Sequence, residues 1–238
     1  MHGESTRVSA SRGATLSPDE GFYEQGVAPV SPRDVAAVAT MLARSFQIDA
    51  GYRFLYPQDS TRESGLTDFF TRNLRIHLRY RCTLVASDSD GPVATVTVRP
   101  PGGVPVSTWT MLRHGLLPMA TMNGFSLIPR LLWLKRTYDA LEHELGGGHP
   151  HWHVHMMAVR DDRQGRGFGG RMLRTALSRC TQGPPAAIAL TTHREENVEF
   201  YRRAGFAVAF ERILQPPSAE PYPVWGMSRA ARVTSSST

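Results

Sequence analysis

The chain has 238 residues, of which 41% are hydrophobic and 20% are charged, and its formal net charge is +6. This composition is typical of a globular protein with one well-buried domain. Lys135 is the only lysine, so the positive balance comes from arginine. Because no recognition-helix, RNP or zinc-finger pattern accompanies that charge, the sequence does not indicate a nucleic-acid-binding protein.

The sequence also argues against membrane spans and disulfide frameworks. The longest uncharged stretch, 115–129, is interrupted by proline, asparagine and glycine and is shorter than a bilayer span. Cys82 and Cys180 lie far apart and outside any CxxC pattern, so neither a disulfide framework nor a zinc site is indicated. No apolar signal region follows Met1, and we therefore expect a soluble, cytoplasmic protein.

The first half of the chain predicts two helices and a β-hairpin. Residues 1–27 are rich in small polar residues without a period, and we expect a disordered leader. Apolar residues at helical spacing predict helices from Val35 to Phe46 and from about Ser60 to Leu78. The β-branched segments 82–86 and 93–98 predict the hairpin. Residues 99–150 begin with prolines and glycines and continue with helical spacing, which indicates a helical insertion.

The second half alternates strands and helices. We predict strands over 152–159, 187–191, 206–214 and 224–228, helices over 168–180 and 195–204, and a disordered tail over 231–238. The order of these elements indicates a mixed α/β fold. We expect a single domain over residues 28–230.

The most informative motif is a glycine-rich turn between a strand and a helix. It reads Gln164, Gly165, Arg166, Gly167, Phe168, Gly169 and Gly170. Glycines allow the backbone to approach a ligand closely, and the first turn of a helix has N–H groups without internal partners. The turn therefore predicts a binding site for a phosphate or pyrophosphate.

Three other interpretations of this turn fit less well. Gly165, Gly167 and Gly170 satisfy the dinucleotide pattern GxGxxG, but five residues separate the strand from the glycines, and no acidic residue ends the next strand. A P-loop requires GK[ST] after the glycines, and that sequence is missing. A purely structural glycine turn does not account for the residues on either side.

Ala158 to Gly169 resembles motif A of the GNAT acetyltransferase superfamily, whose core is Q/R-x-x-G-x-G/A. Downstream, Asn197, Tyr201, Gly205 and Phe206 resemble the family's N-x-x-x-Y-x-x-x-G-F segment. The resemblance covers residues 151–229 and extends to 28–98, and it is greatest to puromycin-acetyltransferase-like members. It implies a GNAT fold, with a mixed sheet of about six or seven strands that is splayed at the cofactor strand and flanked by helices.

The resemblance also implies the residues that bind acetyl-CoA. The backbone of the turn would hold the pyrophosphate, the preceding strand would pair with the pantetheine arm, and Asn197 would contact that arm. Tyr201 matches the tyrosine that protonates the leaving thiolate. The implied cofactor residues are Met157, Ala158, Val159, Gln164, Gly165, Arg166, Gly167, Phe168, Gly169, Gly170, Asn197 and Tyr201.

Histidines are the candidate bases. His151, His153 and His155 alternate along one predicted strand, so they share a face. His153 lies eleven residues before Gln164, where histone-type members have a glutamate and arylalkylamine acetyltransferases have a histidine, with another two residues earlier. The resemblance therefore implies His153 as the base, with His151 beside it. A zinc site would need a third or fourth ligand, and the sequence offers none. We expect no metal.

We therefore predict an acetyl-CoA-dependent N-acetyltransferase that acts on a primary amine of a small molecule, such as an antibiotic or metabolite. Direct attack on the thioester is expected, without an acyl-enzyme. The alternatives are a protein or peptide N-acetyltransferase, an O-acyltransferase and a non-catalytic CoA-binding module. The expected partners are acetyl-CoA and the acceptor, with no nucleic acid or membrane, in a monomer or homodimer.

Overall fold

A computed structural model describes residues 26–78, 80–102, 124–183 and 185–230. The leader up to residue 25, the first part of the insertion (103–123) and the tail 231–238 lie outside these ranges. The described elements are β1 Val27–Pro29, α1 Val35–Ser45, α2 Ala50–Leu55, α3 Asp59–Leu78, β2 Thr83–Asp88, β3 Gly91–Arg99, α4 Leu127–Leu145, β4 Trp152–Val159, α5 Phe168–Gln182, β5 Ile188–Thr192, α6 Glu195–Arg203, β6 Ala207–Leu214 and β7 Tyr222–Arg229.

Seven strands form one open mixed sheet in the order β1-β2-β3-β4-β5-β7-β6, which confirms the predicted α/β, GNAT-type architecture. Every neighbouring pair is antiparallel except β4 and β5. The sheet begins at Val27, which pairs with Ala86 although the sequence placed Val27 in the leader. Among the described helices, none is long and apolar enough to cross a bilayer.

The two parallel strands separate soon after they meet. Only Trp152 with Ile188 and His153 with Ala189 are paired between β4 and β5. β4 then continues to Val159, and β5 continues to Thr192. The carboxyl halves of both strands therefore diverge, as predicted, and they leave a slot between them.

A bulge in β4 changes which face its side chains cover. Thr97 of β3 pairs with Met156, but the next residue, Val98, pairs with Val154, so His155 has no partner in the register. Before the bulge, Val154 packs in the core beneath α5, whereas after it Met156 packs in a second core with α1 and α3. The bulge thus lets one strand serve two cores on opposite faces of the sheet.

Candidate active site

The glycine turn follows a short 3-10 helix at Asp161–Arg163 and leads directly into α5. Gly165 has a φ of 72° and Gly167, the N-cap of α5, has a φ of 83°, a region that L-residues rarely occupy. Among the described residues, no atom lies within 4 Å of a Cβ built on Gly165 or Gly167. The turn therefore offers exposed backbone N–H groups and open space, which suit an anionic ligand.

Two arginines before the turn are held by carboxylates of the β2–β3 hairpin and the 3-10 helix. Arg160 donates to Asp162 at 2.7 Å and to Asp88 at 3.2 Å, and Arg163 donates to Asp88 at 2.9 Å. These guanidinium groups keep the pKa of the Asp88 and Asp162 carboxyls below the usual range. These ion pairs hold the segment that leads into the turn against the β2–β3 hairpin.

A cavity of about 1060 Å³ extends from the turn into the slot between β4 and β5. It brings together most of the residues singled out by the sequence. Those that line it are His153, Met157, Ala158, Val159, Gln164, Gly165, Gly167, Phe168, Gly169, Gly170, Asn197 and Tyr201. His151 and Arg166 are not among the lining residues, although His151 is close to the wall through Glu142.

Tyr201 projects from α6 towards β4. Its hydroxyl lies 4.0 Å from the Sδ atom of Met157, and its ring packs edge-on against Phe200 and Phe206. Burial raises the pKa of Tyr201 to about 12, so the phenol stays protonated at neutral pH. One turn earlier, Asn197 donates to the hydroxyl of Thr192 at 3.2 Å, which joins α6 to the end of β5.

His151, just before β4, and His153 and His155 within it form a ladder on one face, as alternation predicts. The ring centroids of His151 and His153 lie 6.1 Å apart, as do those of His153 and His155. His77 from α3 continues the ladder, 5.6 Å from His155. Burial and the Arg99 charge hold the pKa of His153 well below its usual range, so this imidazole is neutral.

Glu142 of α4 corrects the sequence argument that the histidines have no further metal-ligand partner. Its Oε1 lies 3.8 Å from Nδ1 of His153 and 4.0 Å from Nε2 of His151. The three ligand atoms lie within 4.8 Å of one another, which is close enough to hold a metal ion. Arg99 forms an ion pair with the other carboxylate oxygen of Glu142, so a fixed positive charge adjoins this group.

A second polar cluster lines the same cavity and carries no motif in the sequence. Nδ1 of His193 lies 2.8 Å from Oδ2 of Asp49, and Nε2 of His193 lies 2.5 Å from the hydroxyl of Tyr138. The hydroxyls of Tyr138 and Tyr222 lie 3.4 Å apart. Asp49 and His193 are separated by 144 positions, so only the folded chain brings them together.

Comparison with known proteins gives a domain match and a shared fold. Residues 135–208, less than a third of the chain, match the family described as "Acetyltransferase (GNAT) domain". The match begins in α4 and ends in β6, so it includes β4, the glycine turn and Tyr201. A search of curated protein sequences gives no significant match.

Several solved acetyltransferases have a similar fold. One is a Corynebacterium glutamicum protein described as histone acetyltransferase HPA2 and related acetyltransferase, with a TM-score of 0.57, 18% identity, and coverage of 88% of this chain and 97% of that chain. A polyamine N-acetyltransferase of Drosophila melanogaster has a TM-score of 0.56, 15% identity, and coverage of 86% and 98%. Arylalkylamine N-acetyltransferase 2 of Aedes aegypti has a TM-score of 0.55, 10% identity, and coverage of 87% and 98%. The chain therefore has the GNAT fold, and residues 135–208 match the GNAT acetyltransferase domain.

Proposed function

We propose that this protein is an acetyl-CoA-dependent N-acetyltransferase that moves an acetyl group to a primary amine of a small molecule. The observation that carries the proposal is one continuous cavity. The open N–H groups around Gly165 and Gly167 lie at one part of it, and His153 and Tyr201 also line it. A pyrophosphate site, a candidate base and a candidate acid thus share one space.

In this proposal the backbone of residues 164–170 binds the pyrophosphate of acetyl-CoA. Met157, Ala158 and Val159 pair with the pantetheine arm through the β4 edge, which the divergence from β5 leaves open. Asn197 lies beside Thr192 at the end of β5 and contacts the arm from the other side. The positive φ angles of the turn support this role because they suit a backbone that curves around an anion.

The acetyl group passes directly from the thioester to the amine. The neutral amine attacks the thioester carbonyl, and the backbone N–H around Ala158 stabilises the oxyanion that develops. His153, with His151 beside it, accepts a proton from the nitrogen as the amide forms. Tyr201 donates its phenolic proton to the departing CoA thiolate. Because His153 is neutral its lone pair is free, and its low pKa suits it to take a proton only from an acidic group such as the positively charged nitrogen that the attack creates.

A small-molecule acceptor is supported by the walls of the cavity. Beyond the turn, the wall includes the side chains of Phe46, which follows α1, of Tyr52 in α2 and of Leu131 in α4. The sequence resemblance to puromycin-acetyltransferase-like proteins supports the same class. A peptide acceptor, O-acyl transfer and CoA binding without turnover are the outcomes that would replace it.

The test is thiol release from acetyl-CoA, followed with DTNB across a panel of small amines, alcohols and lysine peptides. We expect turnover with at least one small primary amine and a product that carries one acetyl group on nitrogen by mass spectrometry. Activity only with lysine peptides or only with alcohols would overturn the acceptor class. Tight acetyl-CoA binding without any turnover would indicate a CoA-binding module.

A further inference from the structure

Amine acetylation requires the nitrogen to lose two protons, and the proposed function assigns only one of them. A primary amine with an ordinary pKa enters as an ammonium ion and must lose a proton before it can attack. After the N–C bond forms, the nitrogen loses a second proton to become an amide. His153 accepts the second proton, as the amide forms. The first proton, which the ammonium ion loses, therefore requires another acceptor that reaches the cavity.

We propose that Tyr138, His193 and Asp49 form a proton relay that converts the acceptor's ammonium group to the free amine before attack. This inference rests on the proposed function and adds three residues to it. All three side chains line the cavity that contains His153 and Tyr201. They come from three separate parts of the fold: the segment before α2, the insertion helix α4 and the end of β5.

The hydrogen bonds fix the direction of transfer. Nδ1–H of His193 donates to the Asp49 carboxylate at 2.8 Å, which leaves Nε2 as the acceptor. The Tyr138 hydroxyl lies 2.5 Å from that Nε2 and donates to it. Asp49 is held in turn because its Oδ1 caps α2 by accepting from the N–H of Tyr52 at 3.2 Å. A carboxylate behind an imidazole stabilises the cation that forms when the imidazole takes a proton.

Proton transfer through this chain is balanced. The ammonium N–H bond breaks, and its proton passes to the Tyr138 oxygen while the Tyr138 proton passes to Nε2 of His193. The amine is then neutral, and His193 is a cation beside Asp49. Burial raises the pKa of Tyr138 well above its usual range, so the phenol passes the proton on without becoming a phenolate. After the reaction, His193 and His153 each hold one proton from the nitrogen. One of these two protons leaves to solvent, and the other reprotonates Tyr201, which gave its own proton to the CoA thiolate.

Polar side chains surround the His193 ring, and they can stabilise the positive charge that it acquires in the relay. Asp49, Tyr138 and Tyr222 face it from the α2 segment, α4 and β7, and the His193 and Tyr222 ring centroids lie 5.3 Å apart. Arg194, the next residue, is directed to Glu196 at 3.5 Å. The position of His193 also connects it to the cofactor side, because Asn197 donates to Thr192, its neighbour in the chain.

The decisive experiment compares two acceptors of the same shape. One is an aliphatic amine that the wild-type protein acetylates, and the other is its alkoxyamine, in which oxygen replaces the carbon next to nitrogen. At neutral pH the first is an ammonium ion and the second is already neutral. For His193→Ala we expect kcat/KM to fall by roughly 10²-fold or more with the amine, while the alkoxyamine changes by less than about threefold.

Tyr138→Phe keeps the ring and serves as the second variant, with the same expected difference between acceptors. His143→Ala, an exposed histidine on the same helix and outside the cavity wall, is the matched control and should change neither rate. His153→Ala should slow both acceptors alike, because both lose the second proton. Calorimetry with acetyl-CoA and a melting curve establish that each variant is folded.

Two results would overturn the relay while leaving the proposed function intact. One is an equal loss with both acceptors in His193→Ala and Tyr138→Phe, which indicates a structural role. The other is unchanged turnover of the amine. By contrast, a wild-type protein that binds acetyl-CoA but acetylates neither acceptor at any pH would overturn the proposed function and the relay together.

Discussion

The hydroxyl of Tyr201 lies 4.0 Å from the thioether sulfur of Met157, across the slot where β4 and β5 have separated. A thioether is a weak acceptor, so the phenol has a proton that a better acceptor can take. The proposed thiolate of CoA is such an acceptor, and Met157 belongs to the strand proposed to pair with the pantetheine arm. This geometry favours Tyr201 as the acid of the proposed reaction.

Replacing Tyr201 with phenylalanine should lower kcat by about 10²-fold and leave the Kd for acetyl-CoA unchanged, because the ring remains and only the acid is lost. Single-turnover kinetics and calorimetry measure the two quantities. Tyr56→Phe is the matched control, since Tyr56 is buried, its hydroxyl has no partner among the described residues, and it does not line the cavity. Equal kcat values for the two variants would remove Tyr201 from the mechanism.

Replacing Gly167 with alanine should weaken acetyl-CoA binding by about tenfold. Its φ of 83° is strained for alanine by about 1–2 kcal/mol, and the turn relieves that strain by moving the N–H groups proposed to hold the pyrophosphate. Gly26→Ala is the control because Gly26 has a φ of 88°, open space for a Cβ and no place in the cavity wall. Calorimetry should show unchanged affinity for the control, and a wild-type Kd in Gly167→Ala would argue against this binding mode.

Local sequence patterns predicted the second half of the fold well because each element there has its own signal. Strand β4 was predicted with its observed bounds, and the shared face of His151, His153 and His155 followed from alternation. That alternation holds because all three histidines lie at or before the bulge at His155. Past the bulge, alternation would place Met156 and Ala158 in the core beneath α5, whereas both pack in the core with α1 and α3.

The elements and site residues that were missed depend on contacts between distant parts of the chain. Strand β1 has three residues and is held by its pairing with β2, while α2 has six residues, too few for a helical period to appear. The cluster of Asp49, Tyr138 and His193 has no fixed spacing in the sequence. Glu142 belongs to the insertion, where no motif indicated that α4 would lie against the histidines. Only Asp49, as a helix-capping residue type, had a local signal.

Acid should destabilise the protein through the buried histidine ladder. Burial lowers the pKa of His77 from 6.5 to about 4, so between these values the unfolded chain binds a proton that the folded protein excludes. Stability from this group is complete above pH 6.5 and is lost as the pH falls towards 4. His153 and His155, whose pKa values burial also lowers, act in the same direction.

The measurement is urea unfolding at pH 7 and pH 4 for the wild type and His77→Gln. Between pH 7 and pH 4, the unfolding free energy should fall by about 3 kcal/mol less in His77→Gln than in the wild type, because glutamine does not titrate. His143→Gln controls for an exposed histidine on another helix and should match the wild type. An identical pH dependence for the wild type and His77→Gln would show that His77 is protonated in the folded protein as easily as in the unfolded chain.

Acetyl transfer should survive complete removal of metal, even though Glu142, His151 and His153 have ligand atoms close together. The reason is Arg99, whose guanidinium pairs with Glu142; burial is the main cause of the low pKa of His153, and the Arg99 charge lowers it further. The positive charge of Arg99, paired with Glu142, repels a divalent cation from these three ligand atoms. We expect protein dialysed against EDTA to keep its kcat and added Zn²⁺ to leave it unchanged.

Arg99→Gln should increase Zn²⁺ affinity in calorimetry, and Glu142→Gln should abolish that gain. A wild-type protein that retains one equivalent of metal through dialysis, and loses both metal and turnover in Glu142→Gln, would contradict a metal-free mechanism.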